Sequence, residues 1–310
     1  MSITELMPQK ENTTVLVAGE ILFDVFPEYR RIGGAPFNFA FHLKKLGYPV
    51  RFVSRVGADE RGKEILDFLE THGFRPDDIQ VDPDRETGSV QVSVDSNGNH
   101  RFDIKADAAY DFLEFSDHLK RLTGENAGLI YFGTLIQRTD QGFQTLQRVL
   151  ENKRKSAAAF VDINLRPLCY TKATIEASLK AADILKLNME ELEEIAGTAE
   201  EKGFPGRAVQ RIMADYSIRQ VILTKAEMGS ELFTGNSRFT DGPKTGIRLA
   251  DTVGAGDAYA AVAAAGYLKG LAPERIISLA GFFADRICGI KGALPTTDDF
   301  YDQVRKEMGG

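Results

Sequence analysis

The sequence predicts an α/β fold in which helices cover both faces of a mostly parallel central sheet and a small second β-sheet projects from it. Three observations lead there. Short Val-, Ile-, Leu- and Phe-rich runs alternate with helical patterns along most of the chain, the signature of successive β-α-β units. One stretch, Gly88 to Ile104, breaks the alternation with two consecutive β-type runs. The chain has 310 residues, 43% of them hydrophobic, enough to bury a large core without disulfide or metal staples.

The strand runs are Val15 to Glu20, Val50 to Val56, Leu129 to Phe132, Ala158 to Ile163, Ile184 to Leu187 and Val221 to Thr224. Between them fall helical patterns such as Phe37 to Leu46, Gly62 to His72, Gln141 to Asn152, Arg207 to Asp215 and Gly256 to Lys269. The longest nearly unbroken apolar run, Ala258 to Leu268, is too short to cross a bilayer and reads as a buried helix. The interrupting stretch reads as a hairpin, Ser89 to Val94 and His100 to Ile104 around the turn signal Asp95-Ser-Asn-Gly98. A hairpin has no partner in a parallel sheet. With residues near Ile21 to Ile32 it is expected to form a small projecting sheet, a lid spanning about 21–33 and 86–108. Residues 1–13 are expected to be a tail and 14–310 one domain.

A net charge of −7, without any block of Lys and Arg, argues against DNA or RNA as partners. The first dozen residues lack an apolar leader, so a cytoplasmic protein with no membrane span is expected. Cys169 and Cys288 have no metal-like spacing and read as reduced thiols. An acidic chain binds a nucleotide only through local devices: helix N-termini, backbone amides, a metal ion and one or two basic side chains.

The strongest motif is Asp251-Thr-Val-Gly-Ala-Gly-Asp257 followed by an Ala-rich helix former. Gly254 and Gly256 let the backbone bend and approach a ligand, so loop amides and the first helical turn converge on an anion. Asp257 by itself would read as an acidic complement to the helix dipole, with its pKa depressed. Within the whole string it suits phosphoryl transfer, with the loop and first-turn amides holding the transferring group and the carboxylate taking the acceptor's proton. Gly33-Gly-Ala-Pro-Phe-Asn38 runs into Pro36 at an expected first helical position, with the Asn38 amide available to a sugar hydroxyl. Asp24 interrupts the apolar Ile21 to Phe26 and is either solvated at a strand end or satisfied by a polar ligand. Asn188-Met-Glu-Glu191 has helix-capping spacing, and also suits phosphates and water-mediated Mg²⁺. Arg166, in Asp162-Ile-Asn-Leu-Arg-Pro167, is either a surface cation or a neutraliser of transferring charge. Gly57-Ala-Asp-Glu-Arg-Gly-Lys63 mimics a P-loop, but Glu64 stands where Ser or Thr should ligate Mg²⁺, and Asp59 and Glu60 would face polyphosphate. A dinucleotide-binding oxidoreductase would need G-x-G-x-x-G after the first strand, which is absent.

In order and approximate spacing, the Gly33-Gly34 to Asn38 segment, Asn188-x-x-Glu191 and the Asp251 to Asp257 string resemble the PfkB (ribokinase-like) carbohydrate kinases from about Thr14 to Lys306. The resemblance implies a three-layer α/β/α domain with a β-lid, ATP and Mg²⁺, and a monovalent cation such as K⁺. It implies Asp257 as base, Gly254 to Gly256 as anion hole, and Asp24, Gly33, Gly34 and Asn38 on the sugar. It further implies Asn188 and Glu191 toward Mg²⁺ and phosphate, Thr224 and Gly229 near the nucleotide, and Asp251 with the Val253 carbonyl at the monovalent cation. Pairing of lids into a homodimer is also implied.

The finer wording, Gly19-Glu-Ile-Leu-Phe-Asp24, Phe132-Gly-Thr-Leu-Ile-Gln-Arg138 and Asp162-Ile-Asn-Leu-Arg166, is similar to the fructokinase-type subset and points to D-fructose. A 2-keto-3-deoxy sugar acid, ribose or a nucleoside is the alternative acceptor, and a non-catalytic binding protein the remote one. Two departures stand out. Ala226 replaces a usual glycine near the nucleotide phosphates, and Phe37 replaces a commonly smaller residue beside Asn38, a change expected to reshape the sugar pocket.

Overall fold

A computed structural model describes residues 13–94, 100–125, 127–197, 204–243 and 250–309. The strands are β1 (Thr14–Ala18), β2 (Leu22–Val25), β3 (Arg30–Gly33), β4 (Val50–Gly57), β5 (Ile79–Asp82), β6 (Ser89–Val94), β7 (His100–Ile104), β8 (Ala127–Phe132), β9 (Ala158–Asp162), β10 (Ile184–Asn188), β11 (Gln220–Thr224), β12 (Ser230–Thr234) and β13 (Ser237–Asp241). The helices are α1 (Ala35–Lys45), α2 (Glu60–Thr71), α3 (Asp117–Glu125), α4 (Asp140–Asn152), α5 (Lys172–Ala181), α6 (Met189–Ala196), α7 (Pro205–Tyr216), α8 (Ala255–Lys269), α9 (Pro273–Cys288) and α10 (Asp302–Glu307).

Nine strands form the central sheet in the order β13-β12-β11-β10-β9-β8-β1-β4-β5. From β11 to β5 every pairing is parallel; β12 and β13 add an antiparallel edge. Alternation along β1 sets the layers. Val15 and Val17 join a core with α1, α2, α8, α9 and α10, while Leu16 joins a second core with α3 to α7 on the other face. Helix α8 is buried from Ala258 to Leu268, as its apolar run predicts, and no helix among the described residues is long and apolar enough to cross a membrane.

The small sheet has the order β3-β2-β6-β7, so the hairpin does join the segment after β1. The turn signal at 95–98 lies outside the described residues. Leu22, Val90 and Val92 seat the sheet on Ala108, Tyr110 and Leu135 of the body. Arg138 ties its far end: Nε and Nη2 donate to Asp111 at 2.6 Å each, and Nη2 also donates to the Lys105 carbonyl just beyond β7.

The P-loop mimic is occupied by its own carboxylate. Asp59 caps α2, accepting from the Gly62 amide at 2.7 Å and from the Thr87 amide at 2.8 Å. The loop amides of Gly57, Ala58 and Gly62 are thus already satisfied, Gly57 by Thr87 Oγ1 and Ala58 by the Asp82 carbonyl, and α2 begins at Glu60, two residues ahead of the sequence expectation.

Candidate active site

Strand β1 lies between β4 and β8, so the chain leaves it toward one side and later fills the other. In such sheets ligands bind outside the carboxyl ends at this switch point. Glu20 follows β1 there, and Asp162, Asn188 and Thr224 end β9, β10 and β11 at the same edge of the sheet. Helices α1 and α8 pack together in one core and both begin at the crevice, where Asn38 Nδ2 donates to Asp257 Oδ2 at 2.8 Å.

Each helix start has a local cause. Gly254, the N-cap of α8, has φ 78°, and a Cβ there would stand 2.2 Å from Ala293 Cβ. Neither the backbone conformation nor the space admits a side chain. The turn delivers Ala255, Gly256 and Asp257 into the first turn; the Ala255 amide donates to the Thr252 carbonyl at 3.3 Å, while the first-turn amides that follow lack helical partners and favour an anion. Gly34 caps α1 with φ 110°, and its Cβ would meet the Glu20 carbonyl at 2.6 Å. Helix α1 starts at Ala35, so Pro36 occupies its second position rather than the first. Asn38 is 4% exposed, and its Oδ1 has no partner among the described residues.

Burial dominates the electrostatics. It pushes the Asp257 carboxyl up to about 7; the like charge of Asp162 adds to this, while the Asn38 bond, Lys186 and Arg166 oppose it. This reverses the depression expected from a helix N-terminus, because desolvation outweighs the dipole. Glu20, also buried, rises to about 7 despite Arg166, and Asp24 to about 6 despite Arg166 and Arg31. Asp24 stands in β2 opposite Arg31 in β3, so it is half-buried between two cations rather than solvated at a strand end. Gly33 packs directly on its carboxyl.

At the carboxyl end of β10, Asn188 and Glu191 form a reciprocal capping box. Asn188 Oδ1 accepts from the Glu191 amide at 2.9 Å, and Glu191 Oε2 accepts from the Asn188 amide at 2.8 Å. Glu191 Oε1 accepts from the Leu165 amide at 3.0 Å. Both carboxylate oxygens are therefore engaged, and no group of three metal-ligating side chains occurs among the described residues. This donor set fits Mg²⁺ through water, at the spare lone pairs, rather than directly. Asp251 Oδ1 accepts from the Val253 amide at 3.1 Å and Oδ2 from the Gly292 amide at 3.0 Å, with Arg31 Nη1 4.0 Å away. The carboxylate expected at the monovalent cation thus accepts one protein amide per oxygen and, like Glu191, keeps spare lone pairs that a cation could use. Ala226 is exposed with φ 48°, the left-handed conformation that explains a glycine preference there, and Gly229 follows at φ 88°. Arg166 lies exposed on the loop beyond β9, within electrostatic reach of Glu20, Asp24 and Asp257.

The sequence profile of the pfkB family carbohydrate kinases matches residues 13–297. The chain belongs to the pfkB family of carbohydrate kinases. It is 26% identical over 313 residues to the fructokinase of Klebsiella pneumoniae, covering 93% of this chain and 98% of that one. Among solved structures, this pfkB kinase shares its fold with fructokinase with bound ATP from Xylella fastidiosa, at TM-score 0.80 and 21% identity over 96% of this chain and 99% of that one. It likewise resembles 2-dehydro-3-deoxygluconokinase from Thermotoga maritima, at TM-score 0.82 and 18% identity over 95% and 98% of the two chains.

One sequence expectation for this pfkB kinase is corrected. Phe37 does not line the crevice: it is fully buried, with its ring 5.7 Å from Phe52 and 6.0 Å from Phe68 by centroids, because one helical step turns it away from Asn38. Gln137 and Arg138 are structural, Gln137 Nε2 donating to Ser178 Oγ at 2.8 Å while Arg138 holds Asp111. Sequence reading assigned no role to Glu20, Tyr131, Asp162 or Lys186, although Glu20 and Asp162 fall inside quoted motifs. An ionisable residue in an otherwise apolar strand, at the carboxyl end of β9 for Asp162 and in the middle of β10 for Lys186, was the available signal.

Proposed function

We propose that this carbohydrate kinase transfers the γ-phosphoryl group of ATP to a hydroxyl of a free sugar, with D-fructose as the acceptor. The placement of Asp257 carries the reading: a carboxyl fixed by Asn38 beside the Gly254 to Gly256 amides, with a pKa near neutrality. Such a group orients a hydroxyl and accepts its proton at physiological pH. ATP supplies the phosphoryl group, and Mg²⁺ neutralises phosphate charge when bound. The chain's own part is to hold the acceptor hydroxyl against Asp257, to take its proton as the new O–P bond forms and ADP departs, and to present the turn amides to the phosphoryl oxygens. Arg166 adds a cation over the same crevice. On the sugar side, Asp24, Gly33, Gly34 and Asn38 supply the polar contacts; the buried, unpaired Asn38 Oδ1 favours a ligand that donates a hydrogen bond. Thr224, Ala226, Gly229 and Asn188 flank the nucleotide in this reading, and the small sheet closes over the sugar.

Fructose is favoured by the fructokinase-like motifs and by the Klebsiella relative. A second reading, a 2-keto-3-deoxy sugar acid, is supported by Arg31 and Arg166, both beside Asp24, which would pair with a carboxylate. A coupled assay of ADP release separates them. We expect kcat/KM for fructose to exceed that for ribose, glucose, fructose 6-phosphate and 2-keto-3-deoxygluconate by at least about tenfold, or ~1.4 kcal/mol. A faster sugar acid would establish the second reading, and phosphorylation of none of these would overturn both.

A further inference from the structure

Lys186 and Asp162 stand at paired positions of the adjacent parallel strands β10 and β9. Lys186 Nζ donates to Asp162 Oδ1 at 2.9 Å and Oδ2 at 2.8 Å, and Tyr131 Oη donates to Oδ2 at 3.2 Å. The two residues are 7% and 2% exposed. An ion pair so buried contributes little net stability, because desolvating both charges offsets their attraction, so its position needs another reason. Lys186 Nζ lies 3.6 Å from the point where a Cβ on Gly256 would stand, directly against the turn that opens α8.

We propose that the Lys186–Asp162 pair is a positioning element of the transfer site, in which Asp162 pins the Lys186 ammonium against the Gly254 to Gly256 turn so that its charge offsets both the Asp257 carboxylate and an anion held by that turn. The groups facing Asp257 are Asn38 from α1, Glu20 after β1, Tyr131 from β8, Asp162 from β9, Arg166 from the following loop and Lys186 from β10. Asp162 and Lys186 act on Asp257 in opposite senses, the carboxylate raising its proton affinity and the ammonium lowering it. Two halves of one ion pair should therefore have opposite effects when removed singly. A bond that serves stability alone has no such sign.

The inference rests on Asp257 as the base, yet its test needs no turnover. In protein free of sugar and nucleotide, the Asp257 carboxyl is titrated by NMR with ¹³C-carboxyl aspartate, the resonance being assigned by its loss in Asp257→Asn. Lys186→Met should move the midpoint up by about one pH unit, Asp162→Asn should move it down by a similar amount, and the double variant should return close to wild type. The acidic limb of kcat/KM should shift in the same senses. Unmoved midpoints, or shifts of the same sign in both single variants, overturn the proposal. If Lys186→Met does not fold, Asp162→Asn decides alone, since the isosteric amide still accepts from Tyr131 and Lys186; an unchanged or raised midpoint then overturns it. Wild-type turnover in Asp257→Asn would instead remove the base assignment and leave these titration shifts standing, so the two failures are distinguishable.

Discussion

Replacing Asp257 with asparagine should make the protein more stable at alkaline pH while abolishing most of its activity. The Asp257 carboxyl rises from an ordinary 3.8 to about 7 in the fold. The folded chain therefore holds this proton more tightly than the unfolded chain, and stability falls as pH climbs from about 4 to about 7, then levels off. At ~1.36 kcal/mol per pH unit the full gap is about 4 kcal/mol. Asp257 keeps partial contact with solvent, which reduces the realised cost to about 2 kcal/mol. The neutral amide of the Asp257→Asn variant would escape this cost and still accept the Asn38 hydrogen bond through its own Oδ1. Urea denaturation of both proteins at pH 4, 6 and 8 should show a gap in unfolding free energy near zero at pH 4 that grows to about 2 kcal/mol at pH 8, or roughly 4 °C in Tm. Glu20, coupled to Asp257, relaxes in the same direction and adds to the gain. The variant's kcat should fall by about 10²- to 10⁴-fold. A less stable variant at pH 8, or a gap independent of pH, would refute the electrostatic reasoning.

Ala226→Gly relieves a left-handed alanine that is exposed and loses no packing, so stability should rise by about 0.5–1 kcal/mol after the greater freedom of glycine in the unfolded chain is deducted; a lowered Tm would contradict it. If the small sheet closes on the sugar, amide exchange in Val90–Val94 and Arg101–Ile104 should slow on adding fructose with a non-hydrolysable ATP analogue, and exchange unchanged at saturation would reject closure.

Local patterns carry local consequences, and these were legible in the sequence. The alternation of apolar runs with helical periods determined a mostly parallel sheet covered on both faces, because a parallel strand needs a crossover between neighbours. The hairpin at Ser89 to Ile104, out of place in that alternation, announced the small sheet. Gly254 and Gly34 were readable because each backbone conformation excludes other residues within a few positions. The Asn188 and Glu191 cap followed from spacing alone.

What the sequence could not supply is everything that depends on which strand ends become neighbours. Asn38 and Asp257 are 219 positions apart, and their bond exists because α1 and α8 both open onto one crevice. The antiparallel β12–β13 edge, the turning of Phe37 into the core and the use of Arg138 as a structural clamp are likewise decided by packing. The clearest case is the proton affinity of Asp257. Read locally, a carboxylate in a helix's first turn should be acidic. Only the tertiary structure buries it, sets the Asp162 charge beside it and leaves Lys186 to balance that charge, because desolvation and through-space charge depend on three-dimensional neighbours rather than on position along the chain.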